Sequence, residues 1–133
     1  MKLLSREELL DKISELEFYP ELTTDLGIYL QNYLFGKDLQ VVKALLVAGA
    51  NPNPESNLDC WLHHFLHEYR SNKTLHGELI LAIVETLLEH GANPNRVWCN
   101  NLRAYDYALS YEVLPFTSLL EKYGANTELR ESI

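Results

Sequence analysis

The sequence has few cysteines, few basic residues and no long apolar run, and each shortage excludes a class of protein. Its two cysteines, Cys60 and Cys99, are far apart and form no Cys-x-x-Cys pair. A framework of disulfides is therefore excluded, and we expect a reduced, cytoplasmic protein. No apolar stretch approaches the roughly 18 residues of a membrane-spanning helix. The start of the chain turns acidic too soon for a signal peptide.

Glycine and proline are also scarce, with six and five residues, which excludes a low-complexity chain. The hydrophobic share of 47% and the charged share of 23% are those of an ordinary globular protein. A chain of 133 residues is long enough to bury a core of its own. We predict a single domain that spans residues 1–133.

Basic residues are outnumbered, with 11 Lys and Arg against 19 Asp and Glu, which leaves a net charge of −8 at pH 7. Such a surface repels phosphates and anionic lipids, so nucleic acid and membranes are not expected as partners. It would attract a basic protein, and we predict a partner of that kind for a chain that is monomeric on its own. The alternative is that the charge only keeps a small domain in solution.

What the sequence does contain is an internal repeat. The pentapeptide Gly-Ala-Asn-Pro-Asn at 49–53 recurs at 91–95, and a degraded copy, Gly-Ala-Asn-Thr-Glu, stands at 124–128. The first two copies begin 42 residues apart and the last two begin 33 residues apart. Each copy follows a short apolar stretch of helical character. This arrangement predicts a helix that ends at a glycine in the left-handed conformation.

The remaining segments also have helical patterns, and no β-type alternation extends beyond a few residues. Ser5 and Glu8 have the spacing of a capping box in front of an amphipathic stretch. In the middle of the chain we predict two helices, 59–69 and 74–90, separated by a polar break at 70–73. The other predicted helices cover residues 5–16, 24–35, 38–47, 104–110 and 115–123.

This pattern resembles the ankyrin repeat over about residues 24–128. In that family a helix opens near Thr-Pro-Leu-His, a turn leads to a second helix, and Gly-Ala-Asp-x-Asn begins a protruding loop. Residues 38–53 and 83–95 match the second half of the pattern, and residues 103–109 stand where the first helix opens. The resemblance implies an all-α fold, an ankyrin-like solenoid of stacked antiparallel helix pairs.

The sequence departs from the family pattern in three ways. None of the three repeats has an intact Thr-Pro-Leu-His. The middle repeat is nine residues longer than the 33-residue period, and we place the extra residues around 69–79. Residues 1–20 match nothing in the repeat. We predict that they form an N-terminal capping helix, which covers the first of about three repeats.

Five histidines raise the alternative of a metal- or thiol-dependent enzyme. His63 and His67 share a helical face, and Cys60 or His76 could add a ligand. The helix lacks the His-Glu-x-x-His pattern, and the sequence has neither a nucleophile elbow nor a phosphate loop. In the ankyrin family the histidine of Thr-Pro-Leu-His is structural, and without gaps His64 takes that position. We therefore predict structural histidines and no metal, cofactor or catalysis.

The resemblance implies a protein-binding role, with contacts from the protruding loops and the first helices. A small acidic binder is expected to be an inhibitor, and small bacterial proteins of ankyrin type include immunity proteins that block a toxin. The alternatives are an adaptor or a structural subunit. Trp98 joins the contact positions as an aromatic residue in a polar loop. The predicted partner-binding residues are Glu55, Asn57, Leu58, Glu68, Tyr69, Trp98, Asn100, Leu102 and Tyr111.

Overall fold

A computed structural model describes residues 4–15, 26–53, 61–97 and 102–127, with the backbone alone at 72–75. Within these ranges the sole β-type pairing is an isolated antiparallel bridge between Val97 and Arg103. The all-α prediction is therefore confirmed, and no described helix is long and apolar enough to cross a membrane. The helices of the described residues are α1 (Arg6–Ser14), α2 (Leu26–Phe35), α3 (Leu39–Val47), α4 (Trp61–Glu89), α5 (Ala104–Ser110) and α6 (Leu114–Lys122).

The chain divides into two compact units, Met1–Asn51 and Pro52–Ile133. In the first unit, α1 and α2 both pack against α3. The core of this unit is built from side chains that recur every three or four residues and so share one face of each helix. Its buried members are Leu9, Leu26, Tyr29, Leu30, Leu34, Val41, Val42, Leu45 and Leu46.

The first helix begins as the sequence predicts. Ser5 Oγ accepts a hydrogen bond from the Glu8 N–H, and the Glu8 carboxylate accepts one from the Ser5 N–H. Arg6 joins α1 to the start of α3, because its Nε lies 2.6 Å from Asp38 Oδ2. This hydrogen bond lowers the pKa of the Asp38 carboxyl below its usual value. The end of the predicted capping helix, residues 16–20, lies outside the described residues.

The middle of the chain differs from the prediction. Trp61–Glu89 is one continuous helix of 29 residues, so the predicted break at 70–73 is wrong. The polar segment contains no glycine or proline that would end a helix. Ser71 remains helical and donates its hydroxyl to the His67 carbonyl one turn earlier. The extra residues of the middle repeat therefore lengthen a helix, to about 43 Å at 1.5 Å per residue, and do not form an inserted loop.

In the second unit, α5 and α6 form a hairpin and both pack along α4. The hairpin is closed at its far end by Tyr105, whose hydroxyl donates to Glu121 Oε1 at 2.6 Å. Apolar side chains from all three helices fill the space between them. The fully buried ones are Phe65, Leu66, Ile80, Ile83, Val84, Leu87, Ala108, Phe116 and Leu120.

A buried ion pair stabilises the start of α5. Arg103 is only 2% exposed, and its Nη2 lies 2.7 Å from Asp106 Oδ1. The Asp106 carboxylate also accepts from the backbone N–H and the Nε of Arg103, at 2.8 and 3.0 Å. The guanidinium donates once more, to the carbonyl of Asn126. Burial of this charge is tolerated because the carboxylate and the carbonyl both satisfy it.

Three helices end at the repeated glycines, as predicted. The φ angles of Gly49, Gly91 and Gly124 are 109°, 100° and 94°. At each end the glycine N–H bonds a carbonyl three residues back, and the alanine N–H bonds one five residues back, at 2.9 to 3.1 Å. This pair of bonds is the Schellman motif. Glycine suits the position because other residues are strained at such φ angles.

Two further helices end with the same hydrogen bonds but without glycine. Lys37 after α2 and Glu112 after α5 both have a φ of 56°. The N–H of the residue that follows each one bonds the carbonyl five residues back, at 3.0 and 2.8 Å. Both turns lead directly into the next helix. The hairpins α2–α3 and α5–α6 therefore use the same turn.

Asparagines of the repeated pentapeptide join successive loops of the second unit. Asn53 Oδ1 accepts from the Asn93 N–H at 2.7 Å, and Asn53 Nδ2 donates to the Gly91 carbonyl at 3.0 Å. Asn95 makes the same two hydrogen bonds to residues 124–126, at 2.6 and 3.2 Å. Each asparagine thus holds the glycine turn of the next copy, which explains why the first two copies share an amide at this position.

Candidate binding groove

Several predicted partner-binding residues fall outside the described part of the chain. Of the nine, four are described: Glu68, Tyr69, Leu102 and Tyr111. The residues that lie outside are Glu55, Asn57, Leu58, Trp98 and Asn100, together with both cysteines.

Tyr69 and Tyr111 lie together on one open groove of about 320 Å³ in the second unit. One wall comes from α4, and the other from the turn between α5 and α6. Glu68 and Leu102 do not line this groove. The lining residues are Tyr69, Arg70, Tyr111, Glu112, Val113 and Pro115.

The ring of Tyr111 lies beside three other groups. The guanidinium carbon of Arg70 lies 3.6 Å from its ring centroid, which is the distance of a stacked cation–π contact. The Tyr107 ring is nearly parallel to it, with centroids 6.1 Å apart and an interplanar angle of 23°. His67 meets the same ring edge-on, with centroids 6.2 Å apart. Tyr111 is nevertheless 39% exposed and so presents an aromatic surface whose position is fixed.

The rest of the groove, around Tyr69 and Val113 to Pro115, is aromatic and apolar. Tyr69 is half-buried, and its ring centroid lies 5.4 Å from that of Phe116, a core residue. Leu114, between the two groove residues Val113 and Pro115, is 70% exposed. A cluster of exposed Tyr, Leu and Arg side chains has the composition of a protein-binding surface.

Glu68 has a different environment from the groove residues. Its carboxylate lies 3.4 Å from His64 Nε2 on the preceding turn of α4, and its side chain is 18% exposed. The predicted contact residue is therefore engaged on its own helix, and in this position it does not contribute to the groove.

Two histidines of α4, His63 and His67, pack against Tyr107 of α5. His63 is 1% exposed, its Nε2 is 3.3 Å from the Leu102 carbonyl, and its ring meets Tyr107 edge-on. Burial lowers the pKa of His63 to about 4, against a smaller opposing effect of the Leu102 carbonyl. Burial, and then the charge of Arg70, also lower the pKa of His67. Because the pKa of His63 is about 4, this histidine is neutral at physiological pH.

The backbone contact to Leu102, just before α5, is made by His63, the neighbour of the residue that the alignment without gaps placed at the structural position. His64 itself is exposed and lies beside Glu68. Among the residues that the structure describes, no group of three or more His, Cys, Asp or Glu side chains is placed to hold a metal ion.

Sequence reasoning missed four of the six groove residues, and two of the four, Arg70 and Glu112, are charged. Arg70 was assigned to a polar break, although it lies three residues after His67 on what proves to be a continuous helix. Tyr107 and Tyr111 are four residues apart around the end of α5, a spacing that places both rings on one face. The spacing of these two tyrosines was therefore a sequence signal for an aromatic surface next to Glu112.

Comparison with known proteins adds no relative to this description: no family model, no curated protein and no solved structure matches the chain.

Proposed function

We propose that the chain is a non-catalytic protein-binding module that holds a partner protein at the groove of its second unit. The observation that carries the proposal is the fixed and exposed ring of Tyr111 beneath Arg70. Tyrosine and arginine are enriched among residues that dominate binding energy, and a ring already held in place loses little entropy on binding. Tyr69, on the opposite wall, offers a second aromatic contact.

The proposal includes an ankyrin-type solenoid as the scaffold. Its support is the repeated glycine helix end and the asparagine that joins each loop of the second unit to the next. Contacts between neighbouring copies of one motif are typical of repeat proteins. The long helix α4 departs from the family pattern, because one continuous helix replaces the expected antiparallel pair.

Within that class we propose a cytoplasmic inhibitor or immunity protein that forms a one-to-one complex with a basic protein and acts by covering its working surface. The support is the net charge of −8, which would accelerate encounter with a basic partner. An adaptor role would use the same surface. The two differ in whether the partner loses its activity in the complex.

The test is a titration of the partner, isolated from the host cell, against variants of the groove. We expect Tyr111→Ala to weaken binding by about 2 kcal/mol, or roughly 30-fold, because a ring in the centre of an interface is lost. Trp98→Ala tests the predicted loop contact in the same way. Phe35→Ala is the control, since Phe35 is 48% exposed but lies in the first unit. Unchanged affinity in a folded Tyr111→Ala protein would place the interface elsewhere.

A further inference from the structure

The groove carries one positive and one negative group on opposite walls. The guanidinium of Arg70 stacks on Tyr111, and a stacked guanidinium keeps its N–H bonds in its own plane, directed past the ring. This geometry suits the two oxygens of a carboxylate, which guanidinium groups bind through paired hydrogen bonds. Arg70 is exposed, and no carboxylate within the described ranges forms an ion pair with it.

Glu112 is the negative group. It stands at the turn between α5 and α6 with a φ of 56°, a conformation in which glycine is favoured. Its side chain is exposed, and in the described part of the chain it has no basic partner within ion-pair distance. Arg70 and Glu112 therefore share one groove without neutralising each other.

We propose that the groove selects a partner segment in which an Asp or Glu side chain lies close to a Lys or Arg. The carboxylate binds the stacked guanidinium of Arg70, and the basic side chain pairs with Glu112. This inference rests on the proposed protein-binding function and specifies what the groove recognises. Opposite charges in a fixed arrangement determine register and specificity more than total affinity.

The charges of the groove exclude other anionic ligands. A phosphate group carries a larger negative charge than a carboxylate, and both Glu112 and the net charge of −8 would repel it. A volume of about 320 Å³ is enough for one or two side chains and too small for a helix. The basic member of the pair is consistent with a partner that is basic overall.

The experiment uses a random peptide library displayed on phage, selected on the full chain and on Arg70→Gln and Glu112→Gln. The wild-type chain should enrich peptides with an acidic residue near a basic one. Arg70→Gln should lose the preference for the acidic residue, and Glu112→Gln the preference for the basic residue. Lys43→Gln and Glu78→Gln, exposed charges outside the groove, are matched controls and should leave the enriched sequences unchanged.

Calorimetry on an enriched peptide then shows which charged residue of the peptide each groove residue binds. Arg70→Gln should weaken binding about 10-fold, and should have no effect on the peptide whose acidic residue is replaced by its amide. Equal affinity of the parent peptide for wild type and both variants would overturn this inference while leaving a binding module intact. If the wild-type chain enriches no peptide, both this inference and the proposed groove fail.

Discussion

The hairpins α2–α3 and α5–α6 differ from α4 in one respect that changes the architecture. Each hairpin turns at a residue with a φ of 56°, Lys37 or Glu112, and then starts a new helix. The helix α4 passes through its polar middle segment without turning and continues for 29 residues. All three regions contain enough polar residues for a turn, so polarity does not decide the outcome.

The difference shows that a helix ends where backbone N–H groups beyond it can bond the carbonyls of its last turn. At both hairpin turns, N–H groups beyond the helix return to carbonyls of its last turn. At Ser71 the side chain bonds a helical carbonyl while the backbone continues the helix. A polar residue therefore ends a helix only where the residues after it can adopt a non-helical conformation.

The largest effect is expected at the ion pair of the second unit, which is buried, in comparison with the exposed pair of the first unit. The pair Arg103–Asp106 is buried, with side chains 2% and 5% exposed, whereas Arg6–Asp38 is 43% and 24% exposed. Asp106→Ala should lower the free energy of unfolding by about 3–5 kcal/mol, because it leaves the buried guanidinium of Arg103 without its carboxylate. Urea denaturation measures the loss.

The control for that experiment is Arg6→Ala. An exposed ion pair is screened by water and salt, so this variant should be much closer to wild type. Losses of equal size at the two ion pairs would mean that burial does not set their strength.

Ser71→Pro tests most directly whether the middle of α4 is helical and not a turn like those of the hairpins. Proline removes the backbone N–H and collides with the carbonyl of the preceding turn, so the variant should lose about 3 kcal/mol or more of stability. Ser71→Ala should be nearly neutral, since it removes only the hydroxyl bond to His67. If proline were tolerated as well as alanine, the segment would be a turn, as the sequence had predicted.

The start of α4 should make the protein sensitive to acid. Burial lowers the pKa of His63 from 6.5 to about 4 in the folded state, so protonation favours the unfolded chain. The contribution is therefore fully present above pH 6.5 and is lost as the pH falls from 6.5 through 4. The loss should be about 3 kcal/mol. Urea titrations across this range should show a shallower pH dependence for His63→Gln, and identical slopes would contradict the assignment.

The smallest effects concern the helix ends themselves. Gly49→Val and Gly91→Val should each cost about 1–2 kcal/mol, because a side chain is strained at their positive φ. No neighbouring atom lies within 4 Å of a Cβ at either position, so the cost comes from the backbone alone. Lys37→Gly and Glu112→Gly should have the opposite sign and stabilise the chain by about 0.5–1 kcal/mol. Thermal melts of the four variants will show whether the valine substitutions lower the stability and the glycine substitutions raise it.

Local signals in the sequence were sufficient for most of the fold. Glycine after an apolar helical stretch predicted three helix ends, and the capping box at Ser5 predicted the start of α1, because each depends only on residues near in sequence. The long helix was missed because the break was placed on polarity alone. The segment has no residue that forces an end, and α5 and α6 both pack against the helix.

The candidate groove was predicted only in part. Tyr69 and Tyr111 were identified by alignment to a repeat pattern, and they do lie on one groove. Arg70 and Glu112 could not be found in this way, since their roles depend on how α4 and the α5–α6 turn face each other. His63 was not identified as the structural histidine, because the alignment without gaps gave that position to His64.

The asparagine contacts between loops have a consequence for how the second unit opens. The N–H groups of Asn93 and Asn126 lie in surface loops, where exchange with solvent deuterium would ordinarily be fast. Each is bound by the side chain of an earlier asparagine, Asn53 or Asn95. These two amides should therefore exchange slowly. Their exchange rates report whether neighbouring copies of the repeat separate one at a time or together.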